Sequence, residues 1–214
     1  WLTEEALEGV NVCVNDESLG CELTDAEGKV SFTASVTKGD VIEVRASKEG
    51  YFSFLVQGVV ADPVDGETYE TGWVLASTDS LSLVTSVLDG ELDEAKGHAT
   101  VGVLGPADAE GVRTLVSGAT VELTGTAEFG PKYLNTAEDL GSAGPFGDDA
   151  AGTTAAGLVA FFNVDPGTIH LKVNVEGHVC TFGAAGLPSD TATVSGLVDA
   201  GHVSYLFATC EVSE

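Results

Sequence analysis

The chain has 214 residues and carries 34 acidic against 8 basic side chains, which gives a formal net charge of −26. A surface of this sign repels phosphate backbones and anionic membranes, so we expect no nucleic-acid partner. Apolar residues make up 43% of the chain, enough for a packed core. No apolar run approaches the ~20 residues of a membrane-spanning helix, so we expect no membrane insertion.

The composition favours strands over helices. Glycine accounts for 27 residues, methionine is absent, and valine and threonine are abundant, a balance typical of all-β sandwiches or barrels. Four cysteines without a CxxC motif favour two disulfides over a metal cluster. Since disulfides persist in oxidising compartments, we place the protein outside the cell or on its surface. Because the chain starts at Trp1, we expect a processed product or an excised piece.

Five segments recur in the same order in the two halves of the chain, which predicts two copies of one fold. The matched pairs are 9–14 with 118–123, 24–32 with 154–161, 38–46 with 166–174, 49–54 with 176–182, and 73–77 with 205–209. In the second pair, Gly28 and Gly157 occupy the turn position that needs a positive φ, and a strand is predicted to follow each turn.

The segment 168–175 shows the strand pattern most clearly. Its apolar side chains Ile169, Leu171 and Val173 alternate with polar ones, which indicates a half-buried antiparallel strand. Residues 41–46 alternate in the same way. Each repeat is therefore predicted to be a Greek-key sandwich of about seven strands.

The order of these motifs resembles that of the carboxypeptidase regulatory-like domain, a transthyretin-like (prealbumin-like) sandwich. Residues 118–125 and 153–178 carry the resemblance best, through GATVEL, LVAF, PGTIHLKV and EG, and residues 9–51 carry a looser version. The family occurs in bacterial surface and secreted proteins, and it is similar to starch-binding-like and pilin-type sandwiches. The resemblance implies two tandem prealbumin-like domains and an extracellular setting, and it implies no chemistry.

The residues between the repeats define the predicted domain boundary. Leu81, Val84 and Leu88 fit a helix stripe with Asp79 as N-cap, but residues 80–83 also alternate as a strand, and the all-β context favours a strand or mixed segment. We place the domains as follows: a first sandwich at 1–78, a linker or bridging segment at 79–97, and a second sandwich at 98–214 that opens with a strand at 98–104.

The second domain carries a long insertion, 126–152, that the first lacks. Loops of this length without secondary structure are uncommon and often functional. The insertion contains Phe129, Tyr133, Leu140 and Phe146, whose apolar side chains must be buried on the parent sheet or in a partner. It is therefore either a hairpin that covers its own sheet, the alternative we favour, or a loop that contacts a glycan, another ligand or a neighbouring chain.

The sequence lacks the familiar catalytic motifs. It has no GxSxG elbow, P-loop or dinucleotide fingerprint, so a non-catalytic protein without a resident organic cofactor is predicted. His170, His178 and His202 all fall in the second domain. His178 and His202 could approach each other, but two histidines without a carboxylate would hold a metal weakly.

Calcium is the one cofactor that the sequence suggests. Glu138, Asp139, Asp148 and Asp149 could supply several oxygens from one loop, as a hard cation requires, although no DxDxDG-type loop is present. Adaptation to salty surroundings explains the acidic excess equally well, because counterions screen the repulsion between like charges.

The four cysteines are predicted to form two bonds, Cys13–Cys21 and Cys180–Cys210. The first would join a strand to its return strand. In the second, Cys180 follows the Glu-Gly turn of the second repeat and Cys210 ends its last strand. The positions matched to them in the first repeat, Ser53 and Thr78, are both non-cysteine. Each bond should stabilise the fold by about 2–4 kcal/mol.

The first repeat is short of one strand, because only eight residues precede Gly9. An unpaired sheet edge invites another strand. Three sources are open: the segment 80–88, upstream residues lost by truncation, or a strand donated by a neighbouring chain, which would give a fibre subunit. We therefore predict a structural or assembly module of a secreted or cell-surface, bacterial-type protein. The alternative is a carbohydrate- or ligand-binding module that uses the 126–152 loop.

Overall fold

The fold is that of a computed structural model, which describes residues 6–14, 19–35, 37, 40–59, 75–88, 90–109, 112–136, 145–147, 152–182 and 194–213. The described strands are β1 (Asn11–Val14), β2 (Cys21–Leu23), β3 (Val41–Ser47), β4 (Ser53–Val59), β5 (Gly97–Ala107), β6 (Arg113–Leu115), β7 (Thr120–Thr124), β8 (Ala127–Tyr133), β9 (Leu158–Val164), β10 (Gly167–Asn174), β11 (His178–Phe182), β12 (Val194–Val198) and β13 (His202–Val212). One helix, α1 (Thr78–Leu88), lies between β4 and β5. Over these residues, we find no helix with the length and apolar character needed to span a membrane.

The strands form one large mixed sheet and one small sheet. The large sheet runs in the order β2-β1-β3-β4-β13-β5-β9-β8, with β11 added beside β13 and β6 beside β5. The small sheet has the order β12-β10-β7. The predicted all-β class is confirmed, with α1 as an addition. Over the described residues, the large sheet takes strands from both halves, and a division into two Greek-key sandwiches is not seen there. The domain limits 1–78, 79–97 and 98–214 stay a prediction.

Strand β13 joins the two halves of the chain. It pairs in parallel with β4, placing His202 beside Ser53, and in parallel with β5, placing Val203 beside His98. The predicted opening strand of the second half is confirmed as part of β5. At β4, the sheet of the first half is extended by β13, a source not among the three expected. On the other side, within the described residues, the sheet ends at β2.

The core lies on both faces of the large sheet, because neighbouring side chains of a strand point to opposite faces. Leu206 of β13 packs into the main cluster between the two sheets, together with Leu171 of β10 and Val101 of β5. The preceding residue, Tyr205, packs on the other face of the sheet, in the cluster of the first half. Its ring meets that of Phe54 edge-on, at 6.1 Å between centroids.

The segment between the repeats is helical, so the strand or mixed segment favoured from the sequence is wrong. Val84 and Leu88, four residues apart, are buried against Ala160 and Phe162 on the outer face of β9. Asp79 lies in the first turn of the helix. The outer face of β9 is apolar and needs a cover, and a helix stripe can provide one where a polar strand face cannot.

In the first half of the chain, the predicted turn forms but the strand predicted to follow it does not. The turn itself forms at Gly28, whose φ is +73° and whose N–H donates to the carbonyl of Asp25 at 2.9 Å. No strand follows within residues 29–35, whereas β9 follows the matching turn in the second half. Val30 and Phe32 instead pack against the cluster of the first half, so they cover the sheet rather than extend it.

Both disulfides are present, and each joins directly opposed residues of two paired strands. Cys13–Cys21 links β1 to β2, and Cys180–Cys210 links β11 to β13. The backbone pairs Tyr51 with Ser77 in the first half and His178 with Val212 in the second.

These two pairs correct the alignment of the repeats. In the second half, Cys180 lies two residues after His178, and Cys210 lies two residues before Val212. In the first half, the residues at the same distances from Tyr51 and Ser77 are Ser53 and Leu75. Leu75, not Thr78, is therefore the counterpart of Cys210.

Candidate functional site

The insertion 126–152 is not an open loop over its described part. Residues 127–133 form β8, which pairs with β9, and the side chain of Tyr133 is 2% exposed in the main core. Phe129 and Phe146 pack in the cluster beneath α1. The described aromatic side chains thus cover the parent sheet. Leu140 lies outside the described residues, and a binding role for the insertion stays a prediction.

The predicted calcium ligands cannot be placed, because Glu138, Asp139, Asp148 and Asp149 all lie outside the described residues. Within the described ranges, no three His, Cys, Asp or Glu side chains are grouped as a metal ion would require.

The suggested approach of His178 and His202 is wrong. His178 is paired with Val212 at one end of β13, and His202 starts the other end. At the rise of a β-strand, the ten-residue step along β13 from His202 to Val212 spans about 33 Å. His170 is exposed on β10 of the small sheet.

A concave site does lie at the junction of the two halves, on the outer face of the large sheet. We call it the junction cleft. It is an open depression of about 470 Å³, lined by Tyr51, Phe52, Ser53, Thr78, Leu92, Asp93, Glu94, His98 and Gly201. A second, more polar groove adjoins it and shares Leu92, Asp93 and Glu94. Because the lining comes from both halves, the cleft depends on the pairing of β4, β13 and β5.

His98 forms part of the lining and is 3% exposed. Its ring lies between those of Phe52, at 6.0 Å, and Phe162, at 5.8 Å. Burial disfavours the charged imidazolium and lowers the pKa of His98 from 6.5 to about 4, so the ring is neutral at pH 7. Its Nδ1 accepts the backbone N–H of Asn163 at 3.3 Å. The ring proton is therefore on Nε2.

Asn163 holds the wall of the cleft in place. It lies opposite His98 at a β-bulge between β5 and β9 and has a φ of +52°, unusual for a residue with a side chain. Its side chain is buried, donates to the carbonyl of Glu91 at 2.9 Å and to the carboxylate of Glu128 at 2.8 Å, and accepts the N–H of Asp93 at 2.9 Å. A strained polar residue with three such bonds fixes the segment 91–93 against the sheet.

Neither His98 nor Asn163 was identified from the sequence. The one available signal for Asn163 is its position: it is the polar residue within LVAFFNV, an otherwise apolar strand. His98 opens a predicted strand, and nothing local indicates that its ring would be enclosed by Phe52, which is 46 residues away along the chain.

A second polar network joins the halves on the inner face of the large sheet. Arg45 of β3 forms ion pairs with Glu43 at 2.6 Å and with Asp199 at 2.5 Å. Gln57 donates to Glu43 at 2.9 Å and accepts the N–H of Leu197 at 3.1 Å. Burial opposes the charge of Arg45, but hydrogen bonds to Asp199 and Glu43 outweigh it and raise the pKa. The network ties β3 and β4 to the β12–β13 connection.

No protein-family model matches the chain, and no curated protein matches it. Among solved structures, the chain is distantly similar to the minor pilin GBS52 of Streptococcus agalactiae. The identity is 13%, the match covers 97% of this chain and 84% of the pilin, and the TM-score is 0.33. It is also similar to the pilus-presented adhesin Cpa, at 14% identity and a TM-score of 0.31. That match covers 56% of this chain and 28% of the adhesin.

Proposed function

We propose that the chain is a non-catalytic structural module of a secreted or cell-surface protein that assembles with other protein chains. The observation that carries the proposal is the position of β13, which completes the sheet of the first half with a strand from the second. A shared strand makes the two halves one continuous unit, as a spacer or building block of an extracellular assembly requires.

Two further features support this role. The disulfides at Cys13–Cys21 and Cys180–Cys210 suit an oxidising environment. The ion pair between Arg45 and Asp199 adds a side-chain link across the same junction. Together they favour a unit that keeps its shape outside the cell, where it is exposed to proteases and to mechanical stress.

Assembly would use a free sheet edge. Within the described residues, the three-residue strand β2 is paired on one side only, by β1, and Leu23 at its end is 64% exposed. An edge strand presents unpaired backbone groups to which a strand of another chain can add. The disulfide between β1 and β2 would hold that edge in a fixed position for the incoming strand.

Self-assembly can be tested by light scattering and sedimentation over a range of NaCl concentrations. A net charge of −26 opposes contact between copies at low salt. Screening shortens the range of this repulsion to about 10 Å at 0.1 M and about 3 Å at 1 M salt. We expect the mass to rise with salt and with protein concentration. A monomer at every salt and protein concentration contradicts self-assembly.

The extracellular location can be tested separately. Antibodies against the chain should label intact cells of its source, and mass mapping without reduction should recover both disulfides from native material. Free thiols in native material, or labelling only after the cells are opened, contradict the proposed location.

A further inference from the structure

We propose that the junction cleft binds a neutral carbohydrate unit, with the Nε2–H of His98 as a hydrogen-bond donor in its lining. This site is distinct from the predicted 126–152 loop, and the inference does not rest on the proposed assembly role. It rests on the donor and acceptor groups that converge in the cleft and on the kind of ligand that can satisfy all of them.

The hydrogen-bond donor of the cleft is the Nε2–H of His98. His98 is 97% buried, and its Nδ1 is already used by the N–H of Asn163. In the described part of the chain, the Nε2–H has no acceptor, although the side chain lines the cleft. Among the described residues, the fully buried side-chain polar atoms that lack a partner do not include those of His98, so its Nε2–H is reached from the cleft. A ligand atom in the cleft can therefore accept this proton.

Polar residues other than His98 form the rim of the cleft. Asp93, Glu94, Ser53 and Thr78 line the cleft. One carboxylate oxygen of Asp93 already accepts the N–H of Ala95, and the hydroxyl of Thr78 donates to the carbonyl of Gly50. Carboxylates accept hydrogen bonds and do not donate them. A ligand that pairs with the carboxylates must therefore donate hydrogen bonds, whereas one that pairs with the Nε2–H of His98 must accept one. Tyr51 adds an aromatic side chain to the lining.

The groups that line the cleft select the chemical class of the ligand. An ammonium group would satisfy the carboxylates, but it has no acceptor for the His98 proton. An anion would accept that proton, but the rim and the net charge of −26 repel it. A hydroxyl group both donates and accepts, so a neutral polyol satisfies both requirements. The volume of about 470 Å³ falls within the roughly 300–1,000 Å³ usual for small-ligand sites.

The first test is an NMR titration of the intact chain with methyl glycosides of neutral hexoses and N-acetylhexosamines. We expect at least one glycoside to shift the amide signals of Tyr51, Glu94 and His98 together. If no glycoside shifts these signals, or if the shifts lie elsewhere, the proposal is wrong. A lysine-containing neutral peptide that shifts them in place of every glycoside also overturns it, because it would assign the cleft to peptides.

Two substitutions at His98 separate the two ring nitrogens. His98→Asn keeps an acceptor near the Nδ1 position and removes the Nε2 donor, while His98→Gln keeps a donor near the Nε2 position. We expect His98→Asn to weaken glycoside binding by roughly threefold to tenfold, the worth of one uncharged hydrogen bond. His98→Gln should weaken it less. Equal binding by His98→Asn and the wild type contradicts the assigned role of Nε2.

The rim provides a test that does not disturb the core. Glu94→Gln removes an exposed carboxylate from the cleft, and Glu122→Gln removes a comparably exposed one from β7 as the matched control. We expect weaker glycoside binding for the first and no change for the second. If both variants bind like the wild type, the acidic rim is not part of the site. This test stands even if the His98 variants do not fold.

Discussion

Thr24 and Thr153 occupy the same place in the two halves of the chain. The Oγ1 of Thr24 accepts the N–H of Val10 at 2.9 Å, and the Oγ1 of Thr153 accepts the N–H of Ala119 at 2.9 Å. Each hydroxyl also donates to the carbonyl oxygen three residues before that N–H. The internal repeat is therefore real at the level of hydrogen bonds, with one correction: Thr24 matches Thr153, not Thr154.

Replacing the Thr153 hydroxyl should destabilise the second half. We expect Thr153→Val to lower the free energy of unfolding by about 1–3 kcal/mol, because the buried N–H of Ala119 and carbonyl of Val116 both lose their partner. Thr168→Val, at an exposed position of β10, is the matched control and should have little effect. Urea denaturation measures both. Equal stability of the two variants would show that water replaces the lost hydroxyl.

The position of Tyr133 predicts that β8 is needed for folding. Its side chain fills the main core, so we expect Tyr133→Ala to cost about 3–5 kcal/mol of unfolding free energy. Tyr133→Phe keeps the ring and loses one long hydrogen bond from the N–H of Val121 at 3.4 Å, so its cost should be much smaller. Deletion of residues 128–149 should unfold the second half, and a folded deletion variant would contradict this.

His98 predicts a pH dependence of stability. Burial lowers its pKa from 6.5 to about 4, so between these values the unfolded chain binds a proton that the folded chain does not. The stabilising contribution is complete above pH 6.5 and is lost as the pH falls toward 4, by about 3 kcal/mol in total. Thermal or urea unfolding across this range measures the loss.

The measured slope sums every group whose proton binding differs between the folded and unfolded chain, so the prediction concerns a difference between two proteins. His98→Asn cannot bind this proton, and its stability should fall less steeply between pH 6.5 and pH 4 than that of the wild type. Parallel curves for the two proteins would show that His98 is not the group responsible.

Arg45 should matter more than a typical surface charge. Arg45→Met leaves the half-buried carboxylate of Glu43 without its cation, and we expect a loss of about 1–3 kcal/mol. A double-mutant cycle with Asp199→Asn should give a positive coupling energy across the junction. Lys96→Met, at the exposed ion pair with Asp165, is the control and should change stability little. Similar losses in both would contradict a special role for Arg45.

Several features of the fold could be predicted from the sequence because they depend on local pattern. The alternation of Ile169, Leu171 and Val173 places these side chains on one face of a strand, and all three are buried in the main core. The turns at Gly28 and Gly157 need a positive φ and have one. The internal repeat and the all-β class follow from such signals added along the chain.

The candidate site could not be predicted in this way, because it is made by contacts between distant residues. Period-two alternation says which side chains share a face, but it does not say which strands are neighbours. Nothing local places β13 between β4 and β5, and without that pairing Tyr51 and His98 do not line one cleft. The helical state of residues 78–88 was likewise decided by the apolar outer face of β9.

The sequence by itself thus determined several strands with their buried faces, the turns and the repeat, since each depends on the backbone preference or polarity of nearby residues. It did not determine the state of residues 29–35 or 78–88. Only the tertiary structure decided the neighbours of β13, the strained bulge at Asn163 and the enclosed ring of His98. The physical reason is that strand pairing and desolvation are set by residues far apart in the chain, whose contribution no local pattern contains.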